Sequence, residues 1–368
     1  MAEEFAPSSA PEALRFAIIG CGAIAVNHAT ALQALPGVTV DAVVDTDATR
    51  AREFAARFGI PRACDDVDAA LASGLDAVTV CTPHPAHEAG VVAAARHGLH
   101  VLCEKPVATT TDEADRMIAA ADAAGVRFGV VFQRRFWPAA ARIRAAIDSG
   151  ALGAPIAGSC IVRLRRDAEY YSEPWRGRRE TEGGGVLMTQ AMHHIDLLQW
   201  FMGEAVSVTG RVATLRHGDH IDVEDTAVAT VEFASGALAV VQAGSTFDPG
   251  LGAQVLVSDA AGRSASVLEF PEGTGITDVW TLDGGREFAA PYSAGGVFDI
   301  PLADIHRGLI AAHSLQIADF VSAVRDGRDP LVTGRDARRA LEIVTAIYRS
   351  SETGVAVRLT GARSGATA

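Results

Sequence analysis

The segment Gly20-Cys21-Gly22-Ala23-Ile24-Ala25 constrains this chain more than any other, because of where it stands. It follows a short apolar run at 15–20 (RFAIIG) and opens an Ala-rich helical stretch to about residue 35. Gly20 permits a tight turn there. Gly22 lets the backbone come close to a pyrophosphate, and Ala25 is small enough for close helix–strand packing. Together with Ala23 and Ile24 they put the free N–H groups and positive dipole of a helix start toward phosphate. The next apolar run, 38–44, ends at Asp45. A carboxylate at that point accepts hydrogen bonds from both hydroxyls of an adenosine ribose and repels a 2′-phosphate. The cofactor so predicted is NAD; Arg50 nearby keeps NADP as the alternative. The plainer reading is a glycine turn without ligand, with Asp45 capping the following helix.

The rhythm beyond the turn supports a dinucleotide fold. Strand patterns at 76–81, 100–103 and 126–132 alternate with helical stretches at 48–58, 88–97 and 111–124. The strands are almost continuously apolar, as in a parallel sheet covered on both faces. After about residue 135 the pattern changes. A helix at 139–149, a strand at 155–164 and a polar, aromatic loop at 167–182 lead to three glycines and a helix at 186–202. Extended runs follow at 205–215, 226–233, 237–245, 253–258 and 266–270, separated by turns without helices, which predicts an antiparallel or mixed sheet. Helices at about 313–325 and 335–350 close the chain.

Composition excludes several classes. With 49% hydrophobic and 21% charged residues the chain is globular. A net charge of −13 argues against nucleic acid or an anionic membrane surface. Residues 1–13 carry Glu3 and Glu4 where a secretory signal needs basic residues, and read as a disordered lead-in. No apolar run is long enough to span a membrane. The five cysteines are odd in number and form no CxxC, so neither a disulfide framework nor a zinc site is expected; the reading is a cytoplasmic protein without metal.

Lys105 is the single lysine among 32 basic residues. It follows the strand pattern 100–103, and ligands of doubly wound sheets bind at the carboxyl ends of strands. Pro106 restricts Lys105 to extended geometry. An ammonium group there donates to a substrate oxygen and stabilises developing negative charge. A solvated loop lysine is the plain alternative, which its scarcity weakens.

The residues GCGAIAVNH (20–28), VDTD (44–47), CTPHPAH (81–87), CEKP (103–106) and GGGVLMTQAMHHIDLLQW (183–200) stand in the order and context of the Gfo/Idh/MocA oxidoreductase family, which the chain resembles over nearly its whole length. The segments 224–240 and 336–350 resemble its later motifs. The resemblance implies an α/β Rossmann dinucleotide-binding domain (14–135). It implies an α+β substrate-binding and oligomerisation domain (136–368) with a large open, mainly antiparallel sheet, through which a homodimer or homotetramer forms. It also implies NAD(P)-linked chemistry on sugars, cyclitols and related compounds. The family's active-site lysine and histidine fall on Lys105 and His193. Glu104 falls on a residue lining the nicotinamide pocket. Thr82 and Pro83 fall on a loop over the cofactor, with His84 and His87 in the same stretch taken as cofactor contacts. Two positions depart from the family: His84 stands where Asn is frequent, and Thr189 where Asp is frequent, four residues before the histidine.

On the 186–202 helix, Thr189, Gln190, His193, Asp196 and Trp200 share one face. His193, with an unperturbed pKa near neutrality, suits a general base. Asp196 either orients His193 or serves the domain interface; His194 reads as structural. The loop residues Tyr170, Tyr171, Trp175 and Arg176 offer flat faces and a cation to a sugar ring, or else pack an edge. Arg135 is a weaker cleft candidate, and Phe136 and Trp137 wedge the domain junction. Substrate contacts are thus expected from Lys105, Trp175, Arg176, Thr189, Gln190 and His193. The function predicted is an NAD(H)-dependent dehydrogenase of a secondary ring hydroxyl on a sugar, glycoside or cyclitol. The alternatives are an NADPH-dependent ketoreductase on a nucleotide-sugar or anhydrosugar, and a dinucleotide-binding regulator without turnover.

Overall fold

The computed structural model describes residues 13–359 apart from 73, 283, 291 and 293–296, so all but the last residue of the predicted lead-in lies outside it. The first half forms six parallel strands, β1 (Leu14–Ile19), β2 (Val38–Val44), β3 (Arg62–Cys64), β4 (Ala77–Val80), β5 (His100–Cys103) and β6 (Phe128–Val130), in the order β3-β2-β1-β4-β5-β6. Between them run α1 (Ala25–Gln33), α2 (Ala48–Phe58), α3 (Val67–Leu71), α4 (His87–Arg96) and α5 (Thr111–Ala124). β4 is wholly buried and β5 nearly so, as expected of central strands with helices on both faces. The strand order reverses between β1 and β4, which opens a crevice above their carboxyl ends. Gly20 lies at the end of β1, and Lys105 follows β5.

The second half builds on α6 (Pro138–Asp148), α7 (Arg179–Glu182) and α8 (Met192–Met202). Its nine strands are β7 (Pro155–Arg163), β8 (Ala205–Ala213), β9 (Thr226–Phe233), β10 (Leu238–Gly244), β11 (Gly252–Asp259), β12 (Ser264–Glu269), β13 (Gly275–Trp280), β14 (Glu287–Phe288) and β15 (Val357–Arg358). They form one open sheet in the order β14-β13-β12-β11-β7-β10-β9-β8-β15. Every pairing is antiparallel except β7 with β10. β9 alternates strictly between buried and exposed positions, so one face packs on helices and the other faces out.

The last helices are α9 (Leu302–Gly308), α10 (Ile310–Asp326) and α11 (Gly334–Thr353). A domain running unbroken from 136 to 368 does not describe α10. Ile317, Phe320 and Val321 belong to the same buried cluster as Phe16, Ile18 and Leu32, with Phe16 and Phe320 edge to face at 6.5 Å. The chain thus leaves the parallel sheet after β6 and sends α10 back to cover it. Phe320 is 1% exposed, and burying such a ring is worth about 1.5–3 kcal/mol. No helix among the described residues is long and apolar enough to cross a membrane.

Candidate active site

The glycine turn is built as its sequence requires. Gly20 has φ +93°, and a Cβ there would stand 2.8 Å from the backbone of Cys81 and Thr82. Gly22 and Ala23 are exposed, and nothing lies within 4 Å of a Cβ built on Gly22. The turn therefore presents open backbone in front of α1, as a pyrophosphate needs. Asp45 reaches the same turn: its carboxylate accepts from the N–H groups of Cys21 and Asp47, both at 2.9 Å. Arg50 Nη1 lies 3.2 Å from it, on a side chain 55% exposed. These residues fit an adenine dinucleotide.

Thr82, Pro83 and His84 form the loop after β4. His84 Nδ1 donates to the Glu182 carbonyl at 3.0 Å, tying this loop to α7. His87 corrects the expectation of a cofactor contact. Its ring is buried, with Nδ1 2.8 Å from the Pro106 carbonyl and Nε2 2.9 Å from that of Thr82. Burial keeps the ring neutral, so one nitrogen donates to its carbonyl and the other only packs against the second; the residue sits between the β4 loop and the segment that carries Lys105.

Lys105 Nζ donates to the Thr189 carbonyl at 2.9 Å. Burial pulls its pKa down to about 8; Glu104 opposes this, while Arg134 adds to it. Behind it Glu104 is 6% exposed, and its Oε1 accepts from His28 Nε2 at 2.9 Å, with His313 Nε2 3.7 Å away. Burial alone would raise the Glu104 carboxyl, but these two histidines hold it well below the usual carboxylate range. Among the described residues, His28, Glu104 and His313 form the one group whose donor atoms are close enough to share a metal ion. His28 and Glu104 both stand in quoted motifs, yet 76 residues separate them, and no pattern in the sequence announces their meeting.

His193 follows a π-helical turn, Leu187–Ala191, that opens α8. Such widened turns concentrate at functional sites. The imidazole is buried edge-on against Phe132 at 5.6 Å. Burial, then the charges of Arg134 and Lys105, push its pKa well below the ordinary value, so it is neutral at pH 7. Thr189 contributes differently than its side chain suggests. Its hydroxyl bonds back to the Gly185 carbonyl at 2.8 Å, and its own carbonyl holds Lys105. Asp196 does not orient His193: its carboxylate takes Arg135 Nε and Nη2 at 2.7 and 2.6 Å, both groups fully buried. Arg135 is thereby removed from the cleft. His194 Nε2 lies 2.8 Å from Glu269, in keeping with a structural role.

The three glycines before this helix serve packing rather than ligand approach. A Cβ on Gly185 would lie 1.8 Å from the Glu224 carbonyl oxygen, one on Gly184 2.2 Å from the Tyr348 hydroxyl, and one on Gly183 2.9 Å from Thr109. Glu224 in turn accepts from the N–H groups of Gly185 and Leu187 at 2.8 and 3.0 Å and from Tyr348 at 2.9 Å. That clamp fixes the start of the segment bearing His193.

In the aromatic loop, Gln190 Nε2 donates to the Tyr170 hydroxyl at 3.0 Å, and Arg176 donates to the same oxygen. The Arg176 guanidinium lies over the Tyr170 and Trp175 rings, 4.2 and 4.3 Å from their centroids. Tyr171 turns away, to Ser245 at 3.0 Å.

A glycine turn bonded to the acid at the end of the neighbouring parallel strand, with a half-buried lysine and a neutral histidine beside the crevice, defines a dinucleotide-dependent oxidoreductase. Residues 14–132 match the NAD-binding Rossmann fold of the GFO/IDH/MocA oxidoreductases, and residues 140–261 match the C-terminal domain of the same family. The chain belongs to the GFO/IDH/MocA family, and its first domain is that family's NAD-binding fold. It is similar to the WlbA dehydrogenase of Bordetella pertussis, whose crystal structure holds NADH and UDP-GlcNAcA: 30% identity, 95% of this chain and 99% of that one, TM-score 0.78. It is 29% identical to the D-apiose dehydrogenase of Paraburkholderia graminis over 93% of this chain and 89% of that protein. To the scyllo-inositol 2-dehydrogenase (NAD(+)) of Bacillus subtilis it is 28% identical, over 94% of this chain and 96% of that one.

Proposed function

We propose that the protein oxidises a secondary ring hydroxyl of a sugar, glycoside or cyclitol to the ketone, reversibly, with NAD. The observation that carries this reading is the contact between Lys105 Nζ and the carbonyl of Thr189, four residues before His193. It sets a cation and a neutral base at the mouth of one crevice.

When bound, NAD accepts the hydride at C4 of its nicotinamide. Gly20, Gly22, Ala23 and Ile24 receive the pyrophosphate, Asp45 the adenosine ribose, and Thr82, Pro83 and His84 flank the nicotinamide half with Glu104 behind it. Lys105 borders both cofactor and substrate. His193 takes the proton of the substrate hydroxyl. Lys105, still mostly an ammonium at pH 7, donates to the oxygen as it becomes an alkoxide. Trp175, Arg176, Thr189 and Gln190 form the substrate wall. Residues 14–135 with α10 make the cofactor domain, and the remainder makes the substrate and assembly domain. The outward face of the nine-stranded sheet, with Val228, Leu238 and Val240 exposed at 49%, 62% and 43%, joins copies of the chain into a dimer or tetramer.

The test is spectrophotometric. Purified protein with NAD⁺ and a panel of sugars, glycosides and inositols generates NADH with at least one of them. No turnover in either direction with any carbohydrate contradicts the reading.

A further inference from the structure

Of Arg134, Arg135, Arg166 and Arg176, three are already matched by carboxylates of the chain. Arg134 donates twice to Glu269, both at 2.7 Å. Arg135 donates twice to Asp196. Arg166 donates to Glu272 at 3.1 and 2.7 Å. Each is a two-pronged guanidinium–carboxylate pair, the strongest neutralisation a buried arginine finds. Arg176 has no carboxylate partner among the described residues. Glu182, on the following α7, accepts from the Gly177 N–H instead.

Arg176 is nevertheless held in place. Its guanidinium stacks on the Tyr170 and Trp175 rings, and Nη1 is tied to the Tyr170 hydroxyl. Stacking fixes the plane of the group and leaves its other in-plane N–H edge to meet a planar oxyanion. Tyr170 is fixed in turn by Gln190, the neighbour of Thr189, whose carbonyl positions Lys105. Arg176 and Lys105 therefore lie along one wall. In a chain of net charge −13, Arg176 is thus a guanidinium without a carboxylate pair, on the wall that carries Lys105.

We propose that the ring substrate carries a carboxylate, as a uronic acid or a derivative of one. Arg176 grips that carboxylate with two hydrogen bonds while Lys105 and His193 act on a hydroxyl of the same ring. The assignment rests on the ring-hydroxyl oxidation proposed above. It adds the chemical class that the site selects.

The experiment compares matched pairs with the full-length protein and saturating NAD⁺: D-glucuronate with D-glucose, D-galacturonate with D-galactose, and UDP-D-glucuronate with UDP-D-glucose. In at least one pair the uronate has a kcat/KM on the order of tenfold or more above its neutral partner. Arg176→Met removes that preference chiefly through KM, and Arg176→Lys restores part of it. NADH binding by both variants shows that they are folded. Equal or lower kcat/KM for the uronate in every pair overturns the proposal, and so does an Arg176→Met variant that keeps the wild-type ratio. If no compound of either kind is turned over, it is the oxidation reading that fails. The fluorescence of enzyme-bound NADH then decides the carboxylate assignment. A response to uronates at about tenfold lower concentration than to neutral sugars supports it. An equal response, or none, overturns it.

Discussion

Lys105 and Thr189 meet across 84 residues of sequence, side-chain ammonium to main-chain carbonyl, at 2.9 Å. The first follows a strand of the parallel sheet, and the second lies in the π-helical turn that leads to His193. One hydrogen bond therefore fixes the position of the cation relative to the base. The acceptor is backbone, so the side chain of Thr189 is not what orients the lysine.

Replacing Lys105 removes the donor to the forming alkoxide. Lys105→Ala lowers kcat by about 10²–10³-fold, the range for deleting one preorganised donor to a developing oxyanion. Steady-state rates with whichever carbohydrate is turned over check this. A kcat within fivefold of wild type removes the lysine from the mechanism.

Asp45 decides between the two dinucleotides. Asp45→Ala deletes the acceptor for ribose hydroxyls and the charge that repels a 2′-phosphate, and leaves Arg50 with Asp47 alone, 3.6 Å away. NAD⁺ affinity falls by about tenfold and NADP⁺ affinity rises. Titration of the two cofactors against both proteins reads the effect, and a wild type that prefers NADP⁺ contradicts the account.

The buried pair Arg135–Asp196 is structural. Asp196→Asn leaves a guanidinium uncompensated inside the protein, which costs about 3–5 kcal/mol. Denaturant unfolding shows the loss, while the pH dependence of any residual activity keeps its wild-type midpoints. A shifted profile with unchanged stability returns Asp196 to the active site.

Gly185→Ala drives a Cβ to within 1.8 Å of the Glu224 carbonyl oxygen, a backbone atom that cannot step aside. The clamp on the His193 segment opens, so both thermal stability and kcat drop. Wild-type values of both show that the segment tolerates the displacement.

The parallel half was legible because its strands are short, continuously apolar and evenly interrupted by helical spacing, and because glycine and acid mark its turn. Lys105 and His193 stood out in the sequence for related reasons: one is the sole lysine at a strand end, the other stands in a motif. What escaped shares a different character. β3 has three residues and α3 five, too few for a period to show. The return of α10 depends on Phe320 meeting Phe16 across some 300 positions. Helical-wheel reasoning put Asp196 on the face of His193, and both do lie in α8, but Arg135, 61 residues earlier, claims the carboxylate. His87 carries the chemistry of a ligand contact but is buried between two carbonyls of its own chain. Main-chain acceptors such as the Thr189 carbonyl leave no mark in a side-chain alphabet.

The central claim is that a neutral His193 takes the proton while a protonated Lys105 holds the alkoxide. Its most direct test is the pH dependence of kcat/KM between about pH 6 and 10. Burial sets the Lys105 pKa at about 8, so the ammonium is present below that pH and lost as pH rises through it. His193 titrates well below its ordinary value, so it remains a free base across the range. The account predicts a flat profile near neutrality and a limb that falls with a midpoint near 8. A rate that instead rises through pH 8 makes Lys105 the base and contradicts the assignment.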